Sequence, residues 1–297
     1  MVLSEETMVD YSEWFTLNQK GKTQINSIAI YRELSAEVIH KLDNNLSVSE
    51  IIAWIRQRTI QAFQEKYARR PTDGALNNSV GRWNEFIATS LFSEIALDIN
   101  QNNPKCIVIF SLPNSQIAKT DTGETSSKFL TLFNPEELTE GKSLSKIAPF
   151  KQRIFLPSPD YIIAVINNRQ ISAEIPSLLK EQVRNPHSLE VYNFLQGKLN
   201  VEDVKAVISL KTSNRPDRRY QPLFEAAMIK AMRYILQQDW KYYMVASELS
   251  DADKTIFSTA IAPHSIAIEQ DSRLVDGTYS YDCKLDLVPL VESAIQE

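Results

Sequence analysis

Four side chains set far apart in the sequence carry the chemistry open to this chain: Glu85, Asp160, Lys211 and Glu225. Three offer hard carboxylate oxygens and the fourth an ammonium. Such a donor set suits Mg²⁺, which keeps several waters, takes few protein ligands and accepts phosphate oxygens as further ligands. Hydrolysis of a phosphodiester needs a positioned water, a cation against the developing charge and an in-line geometry. A lysine beside the metal can orient that water or help deprotonate it. Asp160 stands at the start of an apolar run and Lys211 just past the end of another, so strand ends adjacent in a sheet would bring them together. Glu225 is followed at helical spacing by Met228, Ile229 and Met232, with Phe224 beside it; Glu85 has Ala88, Thr89 and Phe92. Both glutamates are therefore expected on apolar helix faces, where a carboxylate needs a cation, a hydrogen bond or a proton. Pairing with a nearby arginine or lysine would explain either one alone. It explains all four together less well.

A second constellation follows Lys211 directly, in Arg215-Pro216-Asp217-Arg218-Arg219. Between Lys205 and Arg219, five basic residues (Lys205, Lys211, Arg215, Arg218, Arg219) stand against the single acid Asp217. Arginine bonds bidentately to N7 and O6 of guanine, and aspartate accepts from N4 of cytosine, each contact contributing about 1–3 kcal/mol of discrimination. One Arg-Asp-Arg triplet per subunit, doubled by a two-fold axis, would read a palindrome of G·C pairs. The competing reading is a solvated charged loop, because Arg-Pro-Asp is ordinary turn chemistry.

Composition alone points nowhere near nucleic acid. The 297 residues carry a formal net charge of −5 and a pI near 5.5, so any attraction to DNA must be local. Cys106 and Cys283 give neither a disulfide framework nor metal-ligand spacing and are expected to be buried thiols. No leader-like N-terminus and no apolar run near membrane length is present, so a soluble cytoplasmic chain is expected. His40, His187 and His264 lack metal or triad spacing, and His264 is expected as a structural residue ahead of an apolar strand. There is no P-loop, GxGxxG, HExxH or GxSxG.

The elements that must position these residues alternate in type. Helices are expected over Glu33 to Leu42, Ser47 to Arg69, Ser79 to about Ile99, from Asn134-Pro135, over Ile175 to Leu195 with a break near Pro186, Pro222 to Gln238, and Asp251 to Thr259. Strands are expected over Lys105 to Leu112, Tyr161 to Ile166, Val204 to Leu210 and Lys241 to Ala246. The fold class is α/β, a mixed sheet flanked by helices. The turn Arg69-Arg70-Pro71-Thr72-Asp73-Gly74 suggests a small helical N-terminal region, 1–68, ahead of a catalytic domain, 69–297.

Four blocks resemble the type II restriction endonucleases that recognise sites containing CCGG, within the PD-(D/E)XK nuclease superfamily. Thr72 to Glu85, with Gly81, Trp83 and Glu85, resembles the family's glycine–tryptophan–x–glutamate helix. Leu112-Pro113-Asn114 resembles a proline–asparagine block after a strand, and Pro159-Asp160 the proline–aspartate pair. Ser209-x-Lys211 with Arg215 to Arg219 and Glu225 is the longest block. The superfamily usually carries an acid two residues before the lysine, where this chain has Ser209. It resembles members in which the following helix supplies that carboxylate, here Glu225. The likeness covers roughly residues 70 to 270.

What the resemblance implies is specific. Asp160 and Glu225 would bind Mg²⁺ directly, with Glu85 behind them or at a second metal. Lys211 would be the catalytic lysine, with Ser209 in support. Arg215, Asp217 and Arg218 would read the inner G·C pairs in the major groove, and Arg219 would contact a phosphate. Asn114 and the Asn77-Asn78 turn are counted as further DNA contacts. The expected activity is Mg²⁺-dependent cleavage of double-stranded DNA at a CCGG-containing palindrome, leaving 5′-phosphate ends. A homodimer is expected, or a tetramer of two such dimers, with no membrane and no RNA partner. Two other readings compete: a DNA-binding protein on a nuclease scaffold that no longer cuts, and a structure-selective repair or RNA-processing nuclease. The intact set of acids and lysine argues against the first, and the Arg-Asp-Arg triplet against the second.

Overall fold

The computed structural model describes residues 11, 13–17, 22–113, 118–119, 125–151, 159–212 and 219–296. Its internal contacts divide the chain into two compact units, residues 1–84 and 85–297.

In the first unit a short antiparallel hairpin, β1 (Phe15–Leu17) with β2 (Thr23–Ile25), precedes helix α1 (Ser27–Asp43). Asn26 starts α1 by accepting from the Ala29 amide at 3.2 Å. Helix α2 (Val48–Tyr67) opens on the capping box that Ser47 and Glu50 suggest: each side chain accepts from the other's amide, at 3.2 and 2.9 Å. The two expected helices of this region thus form. The hairpin was not foreseen; three-residue strands hold too few apolar positions to show a period. Trp14, Phe15 and Phe63 form its aromatic core, with Phe15 and Phe63 edge to face at 5.0 Å.

Helix α3 (Asp73–Asn102) runs from the first unit into the second. It begins six residues earlier than the sequence suggests and takes in Gly74, Asn77 and Asn78, so those asparagines are exposed helix positions and not a turn. Thr72 accounts for the early start: its carbonyl accepts from Leu76 at 3.1 Å and its hydroxyl from Ala75 at 3.4 Å. Asp73 then places an acid in the first turn.

The second unit is built on a sheet. Strand β3 (Cys106–Ser111) is followed by a ribbon of β4 (Ala118–Lys119) and β5 (Thr125–Ser126). Asn134-Pro135 starts only a 3₁₀ turn, Pro135–Leu138, where a helix was expected. Then come β6 (Tyr161–Ile166), α4 (Arg169–Arg184), α5 (Glu190–Leu195), β7 (Val204–Lys211), α6 (Tyr220–Leu236) and β8 (Lys241–Ala246). Helices α7 (Asp251–Thr259) and α8 (Pro263–Ala267), strand β9 (Gly277–Ser280) and helix α9 (Lys284–Ile295) complete it. All six residues of β6 are buried, as a strand covered on both faces requires.

The strand order is β3-β6-β7-β8-β9, antiparallel at the first two junctions and parallel at the last two. This is the expected mixed α/β sheet. Helix α4 lies against β3 and β6, α6 against β8, and α9 against β6, β7 and β9. The parallel pair β7–β8 needs a crossover, and α6 supplies it.

Two expectations fail here. Cys106 is half-buried at the N-terminal end of β3, and Cys283 is exposed at the N-cap of α9. His264 lies in helix α8 rather than before a strand, since Pro263 occupies the first helical position.

Candidate active site

The pairing of β6 with β7 sets the first half of the site. Tyr161 lies opposite Ile208, so the residue before Tyr161 falls beside the C-terminal end of β7. That residue is Asp160. Its amide donates to the Ile208 carbonyl at 2.9 Å, and its carbonyl accepts from Leu112 at 3.0 Å. The backbone is thus gripped from both neighbouring strands before the side chain does anything.

The carboxylate of Asp160 faces the last residues of β7. Oδ2 accepts from the Leu210 amide at 2.6 Å and from Lys211 Nζ at 3.0 Å, with the Ser209 hydroxyl at 3.5 Å. All three reach the same oxygen, and among the described residues Oδ1 is left for another ligand. Strand alternation puts Ser209 and Lys211 on one face of the sheet. In the parallel pairing of β7 with β8, Val207 lies opposite Tyr242, so Tyr242 shares that face.

Helix α6 closes the site from this side. Glu225 is completely buried. Its Oε2 accepts from the Tyr242 hydroxyl at 2.9 Å and its Oε1 from Gln221 Nε2 at 3.4 Å. Burial pushes the Glu225 carboxyl up to about 8; Lys211 opposes this, Asp160 reinforces it, and the bonds from Tyr242 and Gln221 again oppose it. The neighbouring Phe224 is 47% exposed and does not belong to this apolar face, being about 100° further round the helix.

Glu85 is half-buried on α3. Its carbonyl accepts from the Tyr161 hydroxyl at 2.6 Å and from Thr89 Oγ1 at 2.8 Å, which fixes this turn of α3 beside the start of β6. For Lys211, burial alone would lower the pKa, but the Asp160, Glu225 and Glu85 carboxylates outweigh it and hold the ammonium above its ordinary value. Asp160, Ser209, Lys211 and Glu225 are therefore brought together, and Glu85 lies within electrostatic reach.

The residues present fit a hard divalent cation. Every donor is an oxygen, and a carboxyl pushed up to about 8 by burial would regain its charge beside a cation. Among the described residues no three carboxylate, histidine or cysteine side chains cluster closely enough to enclose an ion by themselves. A metal here would keep waters and bind phosphate, as Mg²⁺ does.

Asn114, Arg215, Asp217 and Arg218 lie outside the described residues. Arg219 is described: its Nε donates to Asp253 Oδ1, and one terminal nitrogen lies 3.5 Å from the Ser250 hydroxyl. The histidines stand elsewhere, His187 against Phe86 and His264 against Tyr234, with His40 in α1. Sequence reasoning missed Tyr242, Tyr161 and Gln221. Only Tyr242 left a signal, since alternation in Lys241–Ala246 must send one of two adjacent tyrosines to the site face.

A family model described as Cfr10I/Bse634I restriction endonuclease matches residues 9–297. The type II restriction enzyme Cfr10I of Citrobacter freundii is 27% identical over 210 residues, covering 66% of this chain and 68% of that protein. A crystal structure of the type IIF restriction endonuclease Bse634I with cognate DNA superposes with a TM-score of 0.74 at 22% identity, over 96% of this chain and 98% of that one. A second structure of the Bse634I restriction endonuclease gives 0.70 at 20% identity with the same coverage.

Proposed function

This chain belongs to the Cfr10I/Bse634I restriction endonuclease family, and from that premise we propose that it cleaves double-stranded DNA at a palindrome containing CCGG, with Mg²⁺, leaving 5′-phosphate ends. The observation that carries the reading is the meeting of Asp160, Lys211 and Glu225 at the end of β7, immediately ahead of Arg215, Asp217 and Arg218 in sequence. A cutting centre and a set of G·C readers are thereby joined through one short stretch of chain.

In this reading Asp160 and Glu225 hold the cation, with Glu85 behind them. Bound there, Mg²⁺ would offset the charge that gathers on the phosphate during displacement. The Lys211 ammonium, kept charged by three carboxylates, orients the attacking water and faces the developing negative charge. Ser209 supports this arrangement from the strand. Arg215, Asp217 and Arg218 read the inner pairs from the major groove, and Asn114 makes a further DNA contact. Arg219 has five N–H donors in all, enough to bond Asp253 and still contact a phosphate. A palindrome read by one triplet per subunit calls for two copies about a two-fold axis, and two such dimers would form the tetramer. Residues 69–297 form the endonuclease domain and 1–68 a helical N-terminal region. No helix among the described residues is long and apolar enough to cross a membrane.

Plasmid DNA incubated with the protein in Mg²⁺ or in EDTA tests the reading. Discrete fragments in Mg²⁺ only, lost in Asp160→Ala and Glu225→Ala, are the expected result. Binding without cleavage by the wild-type protein would favour a DNA-binding protein that no longer cuts. Cleavage at the wild-type rate in either variant would remove the metal assignment.

A further inference from the structure

The two carboxylates assigned to the cation are held in different ways. Asp160 takes its bonds from a backbone amide and a lysine on β7, on a short side chain with two torsions. Glu225 projects from a helix on a side chain with three torsions, and a carboxylate on such an arm has several positions open to it. Two side chains hold it: Gln221 reaches Oε1 at 3.4 Å, and the shorter bond, to Oε2, comes from Tyr242. This residue is completely buried on β8 and donates from its hydroxyl to Glu225 Oε2 at 2.9 Å.

Ser209 lies on the same face of the sheet as Tyr242, with its hydroxyl 3.5 Å from Asp160 Oδ2.

We propose that Tyr242 is a positioning residue for the metal site, its hydroxyl fixing Glu225 in the ligating orientation. The inference rests on the reading of Asp160 and Glu225 as metal ligands. It assigns Tyr242 no contact with substrate or with the reacting atoms.

The test measures Mn²⁺ binding to the DNA-free protein by electron paramagnetic resonance, alongside single-turnover plasmid cleavage against Mg²⁺ concentration. Tyr242→Phe removes one oxygen and keeps the ring. It should weaken Mn²⁺ binding by about tenfold or more, as loss of a hydrogen bond to a ligating group does. The Mg²⁺ midpoint for cleavage should rise in parallel, with DNA binding in EDTA unchanged. Asp160→Ala and Glu225→Ala should weaken Mn²⁺ binding further. Wild-type Mn²⁺ affinity in Tyr242→Phe, with binding lost in those two variants, overturns the positioning role alone. Wild-type affinity in all three overturns it together with the metal assignment. Should Tyr242→Phe not fold, Tyr242→Met, which also removes the hydroxyl and repacks readily, carries the same test: weaker Mn²⁺ binding supports the positioning role, and unchanged affinity overturns it.

Discussion

Lys211 Nζ donates to Asp160 Oδ2 at 3.0 Å although the two residues are 51 positions apart. Antiparallel pairing of β6 with β7 makes the meeting unavoidable, because the entry to one strand lies beside the exit from the other. Replacing Lys211 by methionine keeps much of the stem and removes the charge. Single-turnover cleavage should fall by about 10²–10³-fold or more, the range for losing one charge-stabilising group. A gel-shift assay in EDTA should show DNA binding retained. Cleavage within twofold of the wild type would deny the lysine a catalytic part.

Tyr161 ties α3 to the start of β6 through its bond to the Glu85 carbonyl, with Thr89 Oγ1 at 3.0 Å from the same hydroxyl. In Tyr161→Phe the Glu85 carbonyl keeps its bond from Thr89, so no buried acceptor is left bare. The expected loss is about 1 kcal/mol, that of one ordinary hydrogen bond. Urea unfolding of the two proteins measures it. An unchanged midpoint would mean that this tie contributes nothing.

Lys230 is 2% exposed, and its Nζ lies 2.6 and 2.5 Å from the two oxygens of Asp276. Asp276 Oδ2 also accepts from the Tyr242 amide at 2.6 Å, so the pair anchors α6 to the strand that carries Tyr242. Asp276→Ala should cost about 3–5 kcal/mol by leaving an ammonium buried and unpaired. Adding Lys230→Met should recover most of that loss in the same unfolding assay. A double variant no more stable than Asp276→Ala would contradict the pairing.

Asp253 is 2% exposed and receives Ser250 Oγ at 2.6 Å, the Ser250 amide at 3.0 Å and the Arg219 guanidinium. Burial alone would raise its pKa, but the bonds from Ser250 and Arg219 outweigh it and hold the carboxyl below its ordinary value. A depressed folded pKa gives stability that is present above the unfolded value and lost as pH falls through the folded one. The wild type should therefore exceed Asp253→Asn by a constant margin above about pH 5, and the margin should shrink below about pH 4. Urea midpoints taken across pH 3 to 7 (roughly the span of carboxyl titration) read it out. A margin that grows on acidification would have the wrong sign.

Much of the site was legible because its residues sit at ends of strongly apolar runs. Asp160 precedes Tyr161–Ile166 and Lys211 ends Val204–Lys211, and short runs rich in β-branched residues favour strands. Met228, Ile229 and Met232 likewise pointed to the buried side of Glu225, although Phe224 turned outward. What stayed hidden depends on contacts between distant segments. Tyr242 and Tyr243 are adjacent, both are buried, and only the register with β7 decides which one meets Glu225. Arg219 and Asp253 are 34 positions apart, and no local pattern links them. Strand β9 has four residues and is held by pairing with β8, so it carries no period of its own. The early start of α3 was obscured by Gly74 and two asparagines, residues that favour turns until a cap such as Thr72 overrides them.

Sequencing the ends of plasmid fragments produced in Mg²⁺ addresses the central claim most directly, because it reports activity, site and end chemistry together. The account predicts breaks at one palindrome with CCGG at its centre, each carrying a 5′-phosphate, and none when Asp160→Ala replaces the wild type. Breaks scattered without a common sequence, or a common sequence lacking CCGG, would contradict it.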